Sequence, residues 1–291
     1  GDRKEQVQAC QNLIEAKQTP DMVRRQARLV LAMALASQGQ FDGALQQLDE
    51  VGQDAAWARR VAVSRTRLLM AARKSEAALD ELKRLAERAK EDLDLGRARF
   101  VAQSYLQLEK ADLAIGLCKA LCERLPRDAR PILLHAQVLA AQGELAASAQ
   151  LYQKAIELQP GNLRAFRDLA RLHNALDQFD QAIEVLDELA ERGDTGAALA
   201  LQERANLLVS RGLYAPAIEV LEELAGMGFA KSPRVQLLMG RTLVRLGQAD
   251  RARELLAAIP EHSREHLAAR LTLASLAESV EKRIEMLDGL S

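Results

Sequence analysis

The residues best equipped for chemistry are His262, Ser263, Arg264, Glu265 and His266, which spell H-x-x-E-H, the reversed order of a zinc-peptidase pattern. Histidines four apart share one face of a helix and could both reach a metal. Yet the string follows Pro260 at a helix start, occupies a linker and has no recognisable third ligand downstream. A coincidental pair of surface histidines is the better reading, and no metal is expected. Cys118 and Cys122 also stand one helical turn apart, but no nearby Cys or His completes a set of four ligands. Buried thiols packing as small hydrophobes are expected there. With Cys10 the cysteine count is odd, and the spacing makes no disulfide framework. His135 and His173 have no nucleophile in view. No phosphate-cradling loop, dinucleotide glycine fingerprint or G-x-S-x-G elbow occurs, so the expectation is no catalytic residue, no cofactor and no enzymatic activity. Acids gather in strings such as EVLDELAER and EVLEELA, which read as solvated outer helix faces with i, i+4 pairs.

The elements that carry these residues follow from composition. The 291 residues are 48% hydrophobic and 28% charged, enough apolar content for a folded chain and too much for a disordered one. Only 7 Pro and 16 Gly interrupt a sequence dominated by Ala, Leu, Arg, Glu and Gln, so the chain is expected to be all-helical. Aromatic residues at 3% leave few platforms for unpaired bases, and a net charge of −1 gives no electrostatic footprint for nucleic acid. The longest apolar run, Leu29 to Ala36, falls far short of the roughly 20 residues that cross a bilayer, so no membrane insertion is expected. The compartment stays open between cytoplasm and periplasm.

A small residue recurs at Ala44, Ala78, Ala114, Ser148, Ala182, Ala217 and Ala252, at spacings of 34, 36, 34, 34, 35 and 35. A period of this length signals a stacked repeat. Around each anchor stand a turn residue five before, an aromatic or small apolar residue three before and a large apolar residue four after, as in Gly39, Phe41, Ala44, Leu48 and Gly212, Tyr214, Ala217, Leu221. In residues 129–162 a first helix runs through PILLHAQVLAAQG and a second through ELAASAQLYQKAIELQPGN, with Ile132, Leu139, Tyr152, Ala155 and Ile156 facing neighbours and Gly143 allowing the turn. The ending AIELQPGN, the small residues at helix crossings and the period resemble the tetratricopeptide repeat family. That resemblance implies an α-solenoid, a right-handed superhelix of antiparallel helix pairs, whose usual work is protein-protein interaction. Units fall at 25–58, 59–92, 95–128, 129–162, 163–196, 198–231 and 233–262, within a single domain. Arg73 replaces the usual turn glycine of the second unit, and a two-residue insertion near 91–94 is expected to sit in a loop. Residues 2–18 read as the second helix of a further unit with Cys10 at its anchor, and 266–277 with 281–290 as a terminal helix pair within 263–291. Half a unit at the start leads to the expectation of a segment of a longer repeat protein.

In this family the concave face is built mainly by the first helix of each pair. The resemblance places Arg60 and Arg67, Arg99 and Gln103, Arg130 and Gln137, Arg164, Arg167, Arg171 and Asn174, Asn206, and Arg234, Arg241 and Arg245 on that face. None of these positions is acidic, and the arginine fork with neighbouring amides suits a carboxylate-bearing extended peptide. The expected partner is an acidic protein or peptide segment. An alternative is a periplasmic scaffold of a bacterial exopolysaccharide secretion machine, meeting a polymer-modifying enzyme or an anionic polysaccharide. Self-association through exposed repeat ends is a further expectation. A chaperone-tail carboxylate clamp, known in some family members, is only partly matched. Arg167, Arg171 and Arg234 fit, but Glu203 stands where the family places Asn, and Leu238 replaces the last basic residue.

Overall fold

The computed structural model describes residues 2–52 and 55–276, and side chains from residue 5 onward except those of 55 and 59. The chain divides into two compact units, Gly1–Pro126 and Arg127–Ser291, where the sequence suggests one domain. The first contains α1 (Asp2–Glu15), α2 (Asp21–Ser37), α3 (Phe41–Val51), α4 (Ala55–Ala71), α5 (Ser75–Glu91), α6 (Leu95–Gln107) and α7 (Ala111–Arg124). The second contains α8 (Ala129–Ala141), α9 (Leu145–Leu158), α10 (Leu163–Ala175), α11 (Phe179–Ala190), α12 (Asp194–Ser210) and α13 (Tyr214–Leu224). A π-helical turn (Ala225–Phe229) follows, then α14 (Pro233–Arg245), α15 (Ala249–Ala257) and α16 (His266–Ser275). No strand occurs among the described residues, and none of their helices is long and apolar enough to cross a membrane. The fold is all-α, as expected. The proposed terminal helix at 281–290 lies outside the described residues.

Each helix pair closes by one repeated device. The residue five before every anchor, Gly39, Arg73, Glu109, Gly143, Asp177, Gly212 and Gly247, has a positive φ of 57–81°. The next N–H reaches back to the carbonyl five residues earlier, from Gln40 to Leu35 (3.0 Å), Lys74 to Leu69 (2.9 Å) and Lys110 to Tyr105 (2.8 Å) in the first unit. The same bond recurs in the second at Glu144, Gln178, Leu213 and Gln248. This is the Schellman closure, which satisfies a carbonyl that the ending helix leaves orphaned. It turns the chain back in three residues and lays the second helix against the first.

Small side chains then let the pair close up. All seven anchors are 0% exposed. Twelve residues before each, on the first helix, stand Ala32, Thr66, Ala102, Ala136, Ala170, Ala205 and Gly240, all buried. In the 129–162 unit these two registers touch directly, Ser148 Oγ donating to the Ala136 carbonyl at 2.7 Å. The large residues four after each anchor, Leu48, Leu82, Cys118, Tyr152, Leu186, Leu221 and Leu256, are no more than 4% exposed. Each leucine buried in this way is worth about 1.5–3 kcal/mol. In the second unit a core around Phe166, Leu169, Leu186 and Leu189 joins α8 through α12, and another around Leu221, Leu224, Met239 and Leu243 joins α12 through α15.

Residues 92–94 near the insertion form the connection between α5 and α6, and α5 is itself the longer helix. Helix α5 has 17 residues against 14 in α7 and α9, and only residues 92–94 separate it from α6. The strong helix formers of RLAERAKE carry the added length, and Leu93 at φ 52° then ends it. The first helices of the units drawn from 25, 59 and 198 likewise start about a turn earlier, at Asp21, Ala55 and Asp194.

Candidate functional site

Residues three, four, seven and eleven apart fall on one side of a helix. That spacing groups Arg164, Arg167, Arg171 and Asn174 on α10 and Arg234, Arg241 and Arg245 on α14. In the second unit Arg171, Asn174, Asn206 and Arg234, from the first helices of three successive pairs, converge on one cavity of about 290 Å³. Ala170, Leu186 and Leu207 supply apolar lining, Ser210 lies at the wall, and Glu203 lines the same cavity.

Glu203 alters the expected chemistry. It is 5% exposed and accepts two hydrogen bonds from Arg171, Nε at 2.9 Å and Nη2 at 2.7 Å. Arg167 is similarly occupied by its neighbour Asp168, at 2.9 and 2.7 Å. The Arg234 fork faces Gln202, whose carbonyl, with the amide turned oxygen inward, accepts at 2.9 and 3.0 Å. Arg211, at the end of α12, crosses to Asp177 (2.6 Å) and Asn174 (3.4 Å) and lies over the Phe179 ring. The face is therefore a mixed lattice in which carboxylates hold some of the arginines, not a purely cationic one. Arg164 is exposed and has no ion pair or hydrogen bond among the described residues.

The remaining second-unit residues are distributed elsewhere. Arg241 and Arg245 line a separate cavity of about 850 Å³ with Tyr214, Leu271 and Thr272. Arg130 is turned to its own helix start, where Asp128 caps α8 by accepting from Arg130 N at 2.9 Å and binds the guanidinium at 2.6 Å. The Arg130 hydrogen bond, stronger than the opposing desolvation, holds the Asp128 carboxyl below its usual range. The Tyr152 hydroxyl is pushed up to about 12 by burial first and by Asp168 second, with Gln137 and Arg167 acting in the opposite direction.

In the first unit Arg67 and Gln103 meet at a cavity of about 620 Å³ between α4 and α6, with Met70, Ala71, Phe100, Ser104, Gln107 and Leu108. Arg67 lies over the Phe100 ring, 5.2 Å from its centroid, and Arg60 over Trp57 at 4.5 Å. Arg99 is exposed on α6 and does not line that cavity. The two aromatic platforms and the two carboxylates, Glu203 and Asp168, are what sequence reasoning left out of the candidate set. The signal was present in the period. Cross-repeat partners are separated by about one repeat, as in Arg171 and Glu203 (32 residues), Arg211 and Asp177 (34) and Lys74 and Asp42 (32).

The motifs that suggested other chemistry are dispersed. His262 is exposed ahead of α16 and His266 begins it, so they do not share a helical face, and His266 Nδ1 faces the Ile259 carbonyl at 3.3 Å. Among the described residues no three His, Cys, Asp or Glu side chains are grouped to hold a metal. Cys118 is fully buried and its thiol is pushed up to about 12, by burial and then by Cys122. His135 is buried, and His173 Nδ1 pairs with Gln178 at 2.8 Å.

Comparison with known proteins gives the same architecture. Models of the tetratricopeptide repeat match residues 139–205 and 208–276, and a further one matches 25–50, together more than half of the chain. No curated protein matches. Among solved structures, pilF of Pseudomonas aeruginosa is similar at 17% identity with a TM-score of 0.50, over 70% of this chain and 89% of that one. A tetratricopeptide repeat protein from Parabacteroides merdae is similar at 17% identity and a TM-score of 0.48, over 83% of this chain and 94% of its own. Such arrays are protein-interaction scaffolds. With its repeated closures, its buried small-residue registers and the family-model matches over more than half of its length, the chain belongs to the tetratricopeptide repeat family.

Proposed function

We propose that this protein is a noncatalytic scaffold that holds an acidic segment of a partner protein along the arginine- and amide-bearing faces of its first helices. The supporting observation is the cavity where Arg171, Asn174, Asn206 and Arg234 converge from three successive pairs. An arginine fork grips a carboxylate bidentately, and the two asparagines have the donors and acceptors to pair with an extended peptide backbone. Glu203 tunes this site by withdrawing Arg171 from full attraction, so that an incoming carboxylate meets the exposed Arg164 and competes for Arg234 only with the neutral Gln202 amide.

The test is fluorescence anisotropy of a labelled glutamate-rich peptide. Arg171 is left intact, because its removal would strand the buried Glu203 carboxylate. Replacing Arg164 and Arg234 together by Ala is expected to weaken binding about tenfold or more, as charged hydrogen bonds are lost. Glu203→Gln keeps the shape and an acceptor for Arg171 but removes a negative charge, and is expected to tighten binding. Raising salt should weaken capture, since exposed charges are screened beyond about 8 Å at physiological ionic strength. Unchanged affinity in both variants would sink the reading.

A further inference from the structure

We propose that the cavity between α4 and α6 is a separate anchor, seating a partner glutamate together with the apolar side chain that follows it. The inference rests on the scaffold reading above and names a chemistry that the cavity between α10, α12 and α14 does not offer. No carboxylate lines this cavity, whereas Glu203 lines the one between α10, α12 and α14. Arg67 has no ion pair or hydrogen bond among the described residues; its contact is the Phe100 ring beneath it, 5.2 Å from guanidinium to centroid. A cation–π contact with a ring uses none of the guanidinium's N–H groups as conventional hydrogen-bond donors, so they stay available for a bidentate carboxylate.

The rest of the lining extends the match beyond a bare anion. Gln103 and Gln107 are one turn apart on α6 and both exposed, so their amides can bond the backbone of an extended segment. Met70, Phe100 and Leu108 are only partly buried and give an apolar floor beside the guanidinium. A volume of about 620 Å³ lies inside the roughly 300–1,000 Å³ range of ligand pockets, large enough for adjoining side chains. A positive fork with no internal partner, two amides and an apolar floor are complementary to a glutamate followed by a leucine-sized residue. They are a poor match for polyglutamate alone, which would leave the floor uncovered.

The experiment compares three labelled peptides, of repeating Glu-Leu, Glu-Gly and Gln-Leu, binding to the whole chain by anisotropy, with helicity checked by circular dichroism. The native protein should bind Glu-Leu at least several-fold more tightly than either other peptide. Arg67→Ala should weaken Glu-Leu binding about tenfold or more, with Arg67→Lys recovering only part, because Lys keeps the charge without the stacked fork. Glu-Leu binding that survives Arg67→Ala within twofold but falls when Arg164 and Arg234 are both replaced by Ala would overturn this anchor and leave the scaffold reading standing. Equal affinity for all three peptides, or no binding of Glu-Leu by the native chain, would overturn it as well, the latter along with the acidic-segment reading.

Discussion

At the scale of single residues, the arginines of this chain differ in what holds them. Arg171 is bound to a buried carboxylate, Arg67 rests on a ring, Arg130 folds back on its own helix cap, and Arg164 meets nothing among the described residues. Arg67 and Arg171 share one repeat register and Arg130 and Arg164 another, yet within each register the two are held differently, so residue type and register alone do not separate them. The Asp128 cap is the residue whose energetics can be stated most directly. Its carboxylate accepts from Arg130 N, and replacing such a cap by Ala costs about 1 kcal/mol. Because the folded carboxyl lies below its unfolded value, its extra stabilisation is present above the unfolded pKa and is lost as pH falls through the folded one. Asp128→Ala should therefore lower stability in urea by about 1 kcal/mol at neutral pH, with the gap closing in strong acid. Asp128→Asn, which still caps, should lose the pH dependence while keeping most of the stability.

At the scale of the helix pair, a three-residue turn makes the same Schellman bond seven times, with glycine at only four of the left-handed positions. Arg73 at φ 57° bears the cost of a side chain in left-handed backbone, roughly 1–2 kcal/mol, and has no ion pair among the described residues to offset it. Glycine there relieves that strain and adds about 0.5–1 kcal/mol of unfolded-chain entropy to be lost on folding. Arg73→Gly should accordingly stabilise by up to about 1 kcal/mol, read from the denaturation midpoint at unchanged slope. Asp177→Gly should gain less, because Asp177 accepts from Arg211 at 2.6 Å. The pairing of helices was legible because the anchors, turns and large apolar residues recur in register. The longer α5 beside the insertion at 91–94 was not, since loop and helical extension satisfy the same spacing and only the run of helix formers ahead of Leu93 sets how far the helix runs.

At the scale of the molecule, each helix pair within a unit packs mainly on its neighbours there, so damage should spread only a short way through that unit. Gly240 makes this measurable. A Cβ there would sit 2.6 Å from Leu256 Cδ2 and Cγ, and Leu256 is 1% exposed, so that buried side chain or the helices around it must shift. Gly240→Ala should cost about 1–3 kcal/mol, with amide exchange accelerating in α14 through α16 while α8 through α11 keep their protection. Uniform loss across the second unit would contradict nearest-neighbour stacking. The sequence by itself determined the family, the helix pairing and the small-residue crossings, because those depend on a pattern repeated seven times in register. The tertiary structure decided which arginines remain available to a partner. A side chain's neighbours across the stack lie about one repeat away, and a shift of one residue turns it by about 100° on its helix. That rotation, set by how successive pairs pack, placed Glu203 against Arg171 and Phe100 beneath Arg67.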